Sequence, residues 1–406
     1  MERSELEQES ETKAAPALPE LFAPELARPR APEAPPAPAP ARVPFERTHP
    51  LEEESEHAEY LARRNFGSLD GLRALGILAV VWHHTVGGPG GFGANLFFLL
   101  SGFLVTTLLV REQKKNGTVA LARFRARRAQ RLYPLYFTVL FAYVGLVLCV
   151  ERDGPARDEF LRNVPFFATF TSNLFVGLEG ERTIFYFAWS LAAQEQFYLL
   201  WPWLVKHARK LGAALAAGAL IAASVLTRAG ALDALLPEQS LVRALALSLM
   251  PPLALGALVA LALDTRRGYE LARRVVGWRG ASVALFAGAL LLWRQPGLGP
   301  WPMYAVLTLL ATACVVREDH LLARLLKQPA LVHVGLVSFG IYLSHMLCHN
   351  VVERVLAHLG AGFAPFDFVL TAALSIAVAT LSFRHFEPRF WPADKRQGPL
   401  QARASK

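Results

Sequence analysis

Two adjacent imidazoles, His83 and His84, end the run "LDGLRALGILAVVWHH", which carries Asp70 and Arg73 near its start. A neutral imidazole is the natural acceptor for a hydroxyl proton near neutral pH, because its unperturbed pKa is about 6.5. Consecutive helical positions point roughly 100° apart, so one of the two rings faces a given partner and the other supports it. Asp70 and Arg73 are three residues apart and pair on one helix face, and the carboxylate also favours the positive helix N-terminus. Each feature also has an ordinary reading: an interfacial ion pair, or a histidine hydrogen-bonded within a bundle.

Further polar groups are scattered through apolar sequence. Asn95 and Ser101 lie in "ANLFFLLSGFLVTTLLV", an amide and a hydroxyl in a stretch otherwise built for lipid. Arg125, Arg128 and Arg131 recur every three residues in "RFRARRAQRLYPLY" and form one basic stripe on a helix. Such guanidinium groups suit phosphate oxygens in bidentate geometry, while a positive anchor at a membrane face is the plainer account. Gln194, Glu195 and Gln196 interrupt "FAWSLAAQEQFYLLWPW", where three consecutive polar residues cannot all face lipid. Glu195 is placed to orient a histidine or a hydroxyl, and a structural hydrogen-bond cluster has equal standing. Tyr342 and His345 fall in "SFGIYLSHMLCH", with His349 reading as interfacial, and Glu387 falls in "FRHFEPRFWP".

The elements that must position these groups follow from composition. The chain has 406 residues, 53% of them hydrophobic, and a mean hydropathy of +0.30, which is strained for a soluble protein. Apolar stretches near the roughly 20 residues needed to cross a bilayer recur over 69–86, 93–110, 132–150, 187–205, 211–227, 243–263, 280–294, 300–316, 331–352 and 366–385. The expected fold is therefore all-α, a polytopic transmembrane helical bundle of about ten spans. Basic residues concentrate in the connections that place both termini in the cytoplasm. The net charge of +9 is accounted for by this topology, and nucleic acid is not an expected partner. Cys149, Cys314 and Cys348 lie in apolar runs without paired spacing, so neither a disulfide framework nor a metal site is indicated. Residues 1–65 are rich in Pro, Ala and Glu and read as a disordered cytoplasmic tail with no signal peptide; 66–390 form the membrane domain and 391–406 a second tail. The one long outer loop, 151–186, is rich in Phe and holds Glu159, Glu179 and Glu181.

Taken in order, "LDGLRALGILAVVWHH", "LFFLLSGFL", "RRAQRLYP", "WSLAAQEQFYLLWP", "SFGIYLSH" and "FEPRF" resemble the acyltransferase 3 family of multi-pass membrane acyltransferases, from about residue 68 to residue 390. The resemblance implies transfer of an acyl group, most often acetyl, from an acyl-CoA donor to a hydroxyl of a cell-envelope or secreted carbohydrate or a glycosylated small molecule. It implies no bound cofactor, and a bacterial inner membrane as the site of action. The family histidine lies fourteen residues after the opening aspartate, which selects His84; Glu195 is the second catalytic candidate. Arg128 and Arg131 match the family's arginine pair and fall to the donor. Asp70, Arg73, His83, Asn95, Ser101, Gln194, Tyr198, Tyr342, His345 and Glu387 are supporting candidates. Where the family has two adjacent acids, this chain has Gln194 before Glu195, and an amide cannot accept a proton as a carboxylate does. General-base and acyl-histidine routes through His84 both remain open. A transporter or flippase of an envelope precursor and a catalytically silent acyl-donor sensor are the alternatives.

Overall fold

Within hydrocarbon a backbone must satisfy its own polar groups, and sequence without strand alternation leaves the helix as the spanning element. The computed structural model describes residues 50–88, 91–151, 153–177, 184–238, 240–360 and 364–391, and every regular element among them is helical. Most of the expected N-terminal tail, Glu179 and Glu181, and the tail from residue 392 lie outside the described residues.

In chain order the helices are α1 (Pro50–Ala62), α2 (Gly67–Thr85), α3 (Gly91–Asn116), α4 (Leu121–Val150), α5 (Pro155–Ala168) and α6 (Ser172–Phe175). They continue with α7 (Ala188–His207), α8 (Arg209–Arg228), α9 (Leu241–Ser248), α10 (Pro251–Leu263), α11 (Arg266–Val276) and α12 (Ala281–Trp293). The last are α13 (Trp301–Val316), α14 (Ala323–Leu326), α15 (Pro329–Leu336), α16 (Ser338–His358) and α17 (Ala364–Leu381). α1 lies inside the segment whose composition reads as tail; its Tyr60 is 1% exposed and packs on Tyr269 of α11, with ring centroids 5.4 Å apart.

α3, α4, α8 and the helix running from Ala364 to Arg389 are long and apolar enough to cross a membrane, and the chain is an integral membrane protein. The number rises to seven if the bent pairs α9–α10, α11–α12 and α15–α16 each count as one span, so the expectation of about ten is not reached among the described residues. The shortfall has two causes. α2 and α7 are long enough, at 19 and 20 residues, but carry the ionisable and amide groups that lower their apolarity. α13 is apolar but short, at 16 residues.

α3 is the central helix, with 72% of its most apolar window buried. Its crossings use glycine where a side chain would not fit. A Cβ on Gly102 would overlap the carbonyl of Leu253 in α10, and one on Gly256 of α10 would overlap that of Leu99 in α3. Gly335 of α15 makes the same close approach to the carbonyl of Asp70 in α2. Leu72, Leu96, Leu99, Leu100 and Leu310 fill the core around these crossings. The pair α15–α16 bends by 76° at Val337. Such a break at membrane depth is tolerated where it lines a cavity, and Ser338, Phe339 and Tyr342 beyond it do so.

Candidate active site

The basic stripe begins α4. Arg128 and Arg131 are one turn apart and both line a cavity of about 820 Å³ enclosed by α2, α3, α4, α7 and α16. That volume lies within the roughly 300–1,000 Å³ usual for small-molecule sites. The Arg128 guanidinium sits over the ring of Tyr198, 3.2 Å from its centroid, so stacking fixes its plane. Arg131 is exposed to the cavity. Asp70 and Arg73 line the same wall with their charged groups 3.9 Å apart, a loose pair that leaves Arg73 able to serve an anion. Two neighbouring cations are otherwise occupied: Arg127 lies 3.6 Å from Glu112, and Arg111 donates 3.2 Å to the carbonyl of Tyr60. Arg125 is exposed off the cavity, donating 3.5 Å to the carbonyl of Leu199. The cavity wall carries far more Arg and Lys than Asp and Glu.

α7 divides its three polar residues as a helix must. Gln194 and Glu195 line the cavity, whereas Gln196 turns toward α6 and exchanges hydrogen bonds of 3.1 and 2.8 Å with Asn173. The Gln194 amide donates to Ser101 Oγ at 2.5 Å and to the Tyr198 hydroxyl, so the amide at this position joins α3 to α7. Glu195 accepts from Tyr133 at 3.4 Å.

The far end of the cavity is closed by two hydroxyls. Tyr342 of α16 and Ser190 of α7 are 2.6 Å apart, and each lies 3.0 Å from the carbonyl of Phe187. Directly behind them stand the imidazoles. The His345 ring is 5.6 Å from that of Tyr342 and 5.1 Å from that of His84. His84 meets the Tyr186 hydroxyl at 2.7 Å through Nδ1, and His83, 4.8 Å from His84 between centroids, bonds the carbonyl of Gly88 at 2.5 Å. His84 itself does not line the cavity; Tyr342 and Ser190 stand between. Asn95 is not brought to the cavity either. Glu387 is buried and accepts from Ser382 at 3.3 Å, with Arg131 near enough to act on its charge.

Tyr186 and Ser190 are members of the cluster that sequence reasoning did not single out. Their signal is local: both lie in "FYFAWS", just before the polar triplet. The backbone there is unusual, with Phe185 at a φ of +64°, a region costly for an aromatic residue by about 1–3 kcal/mol. The strain is held by ring contacts from Phe185 to Phe187, Tyr143 and Phe167 at 4.8, 4.9 and 5.2 Å. The turn presents Tyr186 to His84 and the Phe187 carbonyl to Tyr342.

Residues 66–384 match the family model described as an acyltransferase domain, acyltransferase 3. The chain belongs to the acyltransferase 3 family. Relatives within it include O-acetyltransferase OatA of Staphylococcus aureus strain NCTC 8325, 25% identical over 359 residues, covering 80% of this chain and 57% of the relative. Peptidoglycan O-acetyltransferase OatA of Listeria monocytogenes serovar 1/2a is 33% identical over 150 residues, which is 35% of this chain and 24% of the relative. The chain thus spans less than two thirds of the length of the curated relatives it matches. No solved structure matches it.

Proposed function

We propose that the protein is a membrane O-acyltransferase that moves an acyl group, acetyl first among them, from acyl-CoA to a hydroxyl of an envelope carbohydrate. The observation that carries this reading is one cavity among the described residues that has Arg128 and Arg131 in its wall and reaches Tyr342 and Ser190, with His345 and His84 beyond them. The name of the Listeria monocytogenes relative, a peptidoglycan O-acetyltransferase, suggests the envelope carbohydrate, and the arginines suit a donor bearing phosphates.

In this mechanism the donor phosphates bind at Arg128 and Arg131 on the cytoplasmic side of an inner membrane. The pantetheine arm follows the cavity between α3 and α7, and the acceptor approaches from the outside. His84 lies fourteen residues beyond Asp70, roughly 21 Å along α2 at 1.5 Å per residue, which spans the distance from the inner to the outer part of the bilayer. Tyr342 and Ser190 must part for the thioester to reach the imidazole. His84 then takes the acceptor's hydroxyl proton, the oxygen attacks the thioester carbon, the carbon–sulfur bond breaks, and the proton passes to the departing thiolate. The surrounding helices exclude water and protect the thioester from hydrolysis. Purified protein in lipid nanodiscs, given labelled acetyl-CoA and muropeptide acceptors, is expected to form an alkali-labile ester on the glycan. Movement of an intact glycan precursor without modification would replace this reading with transport, and donor binding without transfer would replace it with a sensor.

A further inference from the structure

Of the histidines beside His84, His83 and His345 each donate from Nδ1 to a backbone carbonyl, and His345 is the one that is fully buried. His345 is fully buried, at 0% exposure, and its Nδ1 lies 2.6 Å from the carbonyl oxygen of Tyr342 one turn back in α16. A carbonyl only accepts, so Nδ1 carries the hydrogen and Nε2 of the neutral ring keeps a lone pair. Among the described residues, that Nε2 is buried without a hydrogen-bond partner. Leaving such an acceptor unsatisfied carries a desolvation penalty that native structures rarely bear without a use.

The lone pair has a neighbour within reach. The centroids of His345 and His84 are 5.1 Å apart, with planes inclined by 33°, a spacing at which the nearest nitrogens of two edge-facing imidazoles come into hydrogen-bond range. As placed, the rings are not bonded. The Cβ–Cγ torsion of a histidine is soft, so His84 can turn its N–H toward His345 without moving α2. The His345 ring is flanked by the ring of Phe187 at 5.5 Å and that of Tyr342 at 5.6 Å, which leaves it little freedom of its own. The Tyr186 hydroxyl cannot set the tautomer of His84 by itself, because a phenol both donates and accepts.

We infer that His345 is the positioning residue for His84: its Nε2 accepts the N–H of one His84 nitrogen and thereby leaves the other with the lone pair that meets the acceptor hydroxyl. This rests on the acyltransferase reading given above and adds to it the group that orients the base. The arrangement does the work of the buried carboxylate in a serine-hydrolase triad with a neutral acceptor, which suits a site inside a bilayer where a fixed negative charge is costly. When His84 becomes protonated during transfer, the same bond holds the imidazolium in place until the proton passes to the thiolate.

The test uses three variants of the full-length protein in nanodiscs, His84→Ala, His345→Asn and His345→Gln, with kcat and the KM for acetyl-CoA measured for each. An asparagine amide keeps the hydrogen donated to the Tyr342 carbonyl but puts no acceptor where Nε2 was. A glutamine reaches that position with its oxygen. The expected result is a kcat for His345→Asn lowered by roughly 10- to 100-fold, no more than the lower end of the ~10²–10⁴ that a positioned base supplies, with KM unchanged. His345→Gln should recover at least about tenfold of that loss, because it restores the acceptor that asparagine lacks. Equal kcat in the Asn variant and the wild type, or equal losses in Asn and Gln, beside an inactive His84→Ala, would overturn this inference alone. A His84→Ala protein as active as wild type would overturn the functional reading and the inference with it. An unchanged KM also certifies that the variants fold around the donor.

Discussion

Under the proposed function, replacing Arg128 and Arg131 by glutamine, singly and together, should weaken donor binding by an amount that follows from the geometry. Both guanidinium groups line the cavity, and no hydrogen bond to a protein acceptor occupies either side chain among the described residues. A charge-assisted hydrogen bond to a phosphate contributes about 1.5–3 kcal/mol. At 1.4 kcal/mol per factor of ten, each substitution should raise the KM for acetyl-CoA by roughly 10- to 150-fold. The double variant should fall short of the product of the two, because neighbouring groups sharing one phosphate are coupled. Glutamine retains much of the stem that packs beside Phe124 and Tyr198, so the loss reports the charge more than the packing. The assay compares acetyl-CoA with an acetyl-pantetheine donor lacking the nucleotide. The wild type should prefer acetyl-CoA, and the double variant should treat the two donors alike. Unchanged KM for acetyl-CoA, or an equal rise for both donors, would refute the assignment of the phosphates to these arginines.

Other substitutions and conditions have defined outcomes. Gly335→Ala forces a Cβ into the carbonyl of Asp70, so α15 must shift from α2; overpacking of this kind costs about 1–3 kcal/mol and should lower the melting temperature in detergent by several degrees. Gln194→Glu should keep activity within about tenfold, because the hydroxyls of Ser101 and Tyr198 can reverse and donate to a carboxylate, whereas Gln194→Leu, which breaks both bonds, should fall well below it in the same transfer assay. In the connection between α13 and α14, burial, joined by the charge of Lys327, lowers the pKa of His320 from 6.5 to about 4. Its nitrogens lie 2.9 Å from Ser68 and 3.1 Å from Ser282. The unfolded chain therefore binds the proton first as pH falls: this contribution to stability is complete above pH 6.5 and is lost between 6.5 and about 4. Thermal unfolding followed from pH 7 to pH 4 should show that loss, and His320→Gln should flatten it.

Much of the candidate site was legible because ionisable groups in apolar sequence are conspicuous. The paired arginines of α4, the imidazoles of α2 and α16 and the polar triplet of α7 could be named from residue type and spacing, and the structure brings Arg128, Arg131, Gln194, Glu195 and Tyr342 to one cavity. The expected spans 69–86 and 187–205 fall on helices α2 and α7, and the polar groups those helices carry keep both from being apolar enough to count as spans by composition. The break between α15 and α16 was not legible, because nothing at Val337 marks a stop and the 76° bend depends on tertiary packing. Tyr186 escaped notice because its role depends on the left-handed turn at Phe185, a backbone conformation that an aromatic residue type does not announce. Asn95 illustrates the converse: an amide in an apolar run drew attention, yet its side of α3 does not reach the cavity.

The central claim is that His84 accepts the acceptor's proton beside a donor cavity defined by Arg128 and Arg131. The most direct measurement is transfer of labelled acetyl from acetyl-CoA to a muropeptide by wild type and His84→Ala, with donor binding measured in parallel. The account predicts a loss of transfer of at least about 10²-fold with donor affinity intact. Transfer within threefold of wild type would contradict it.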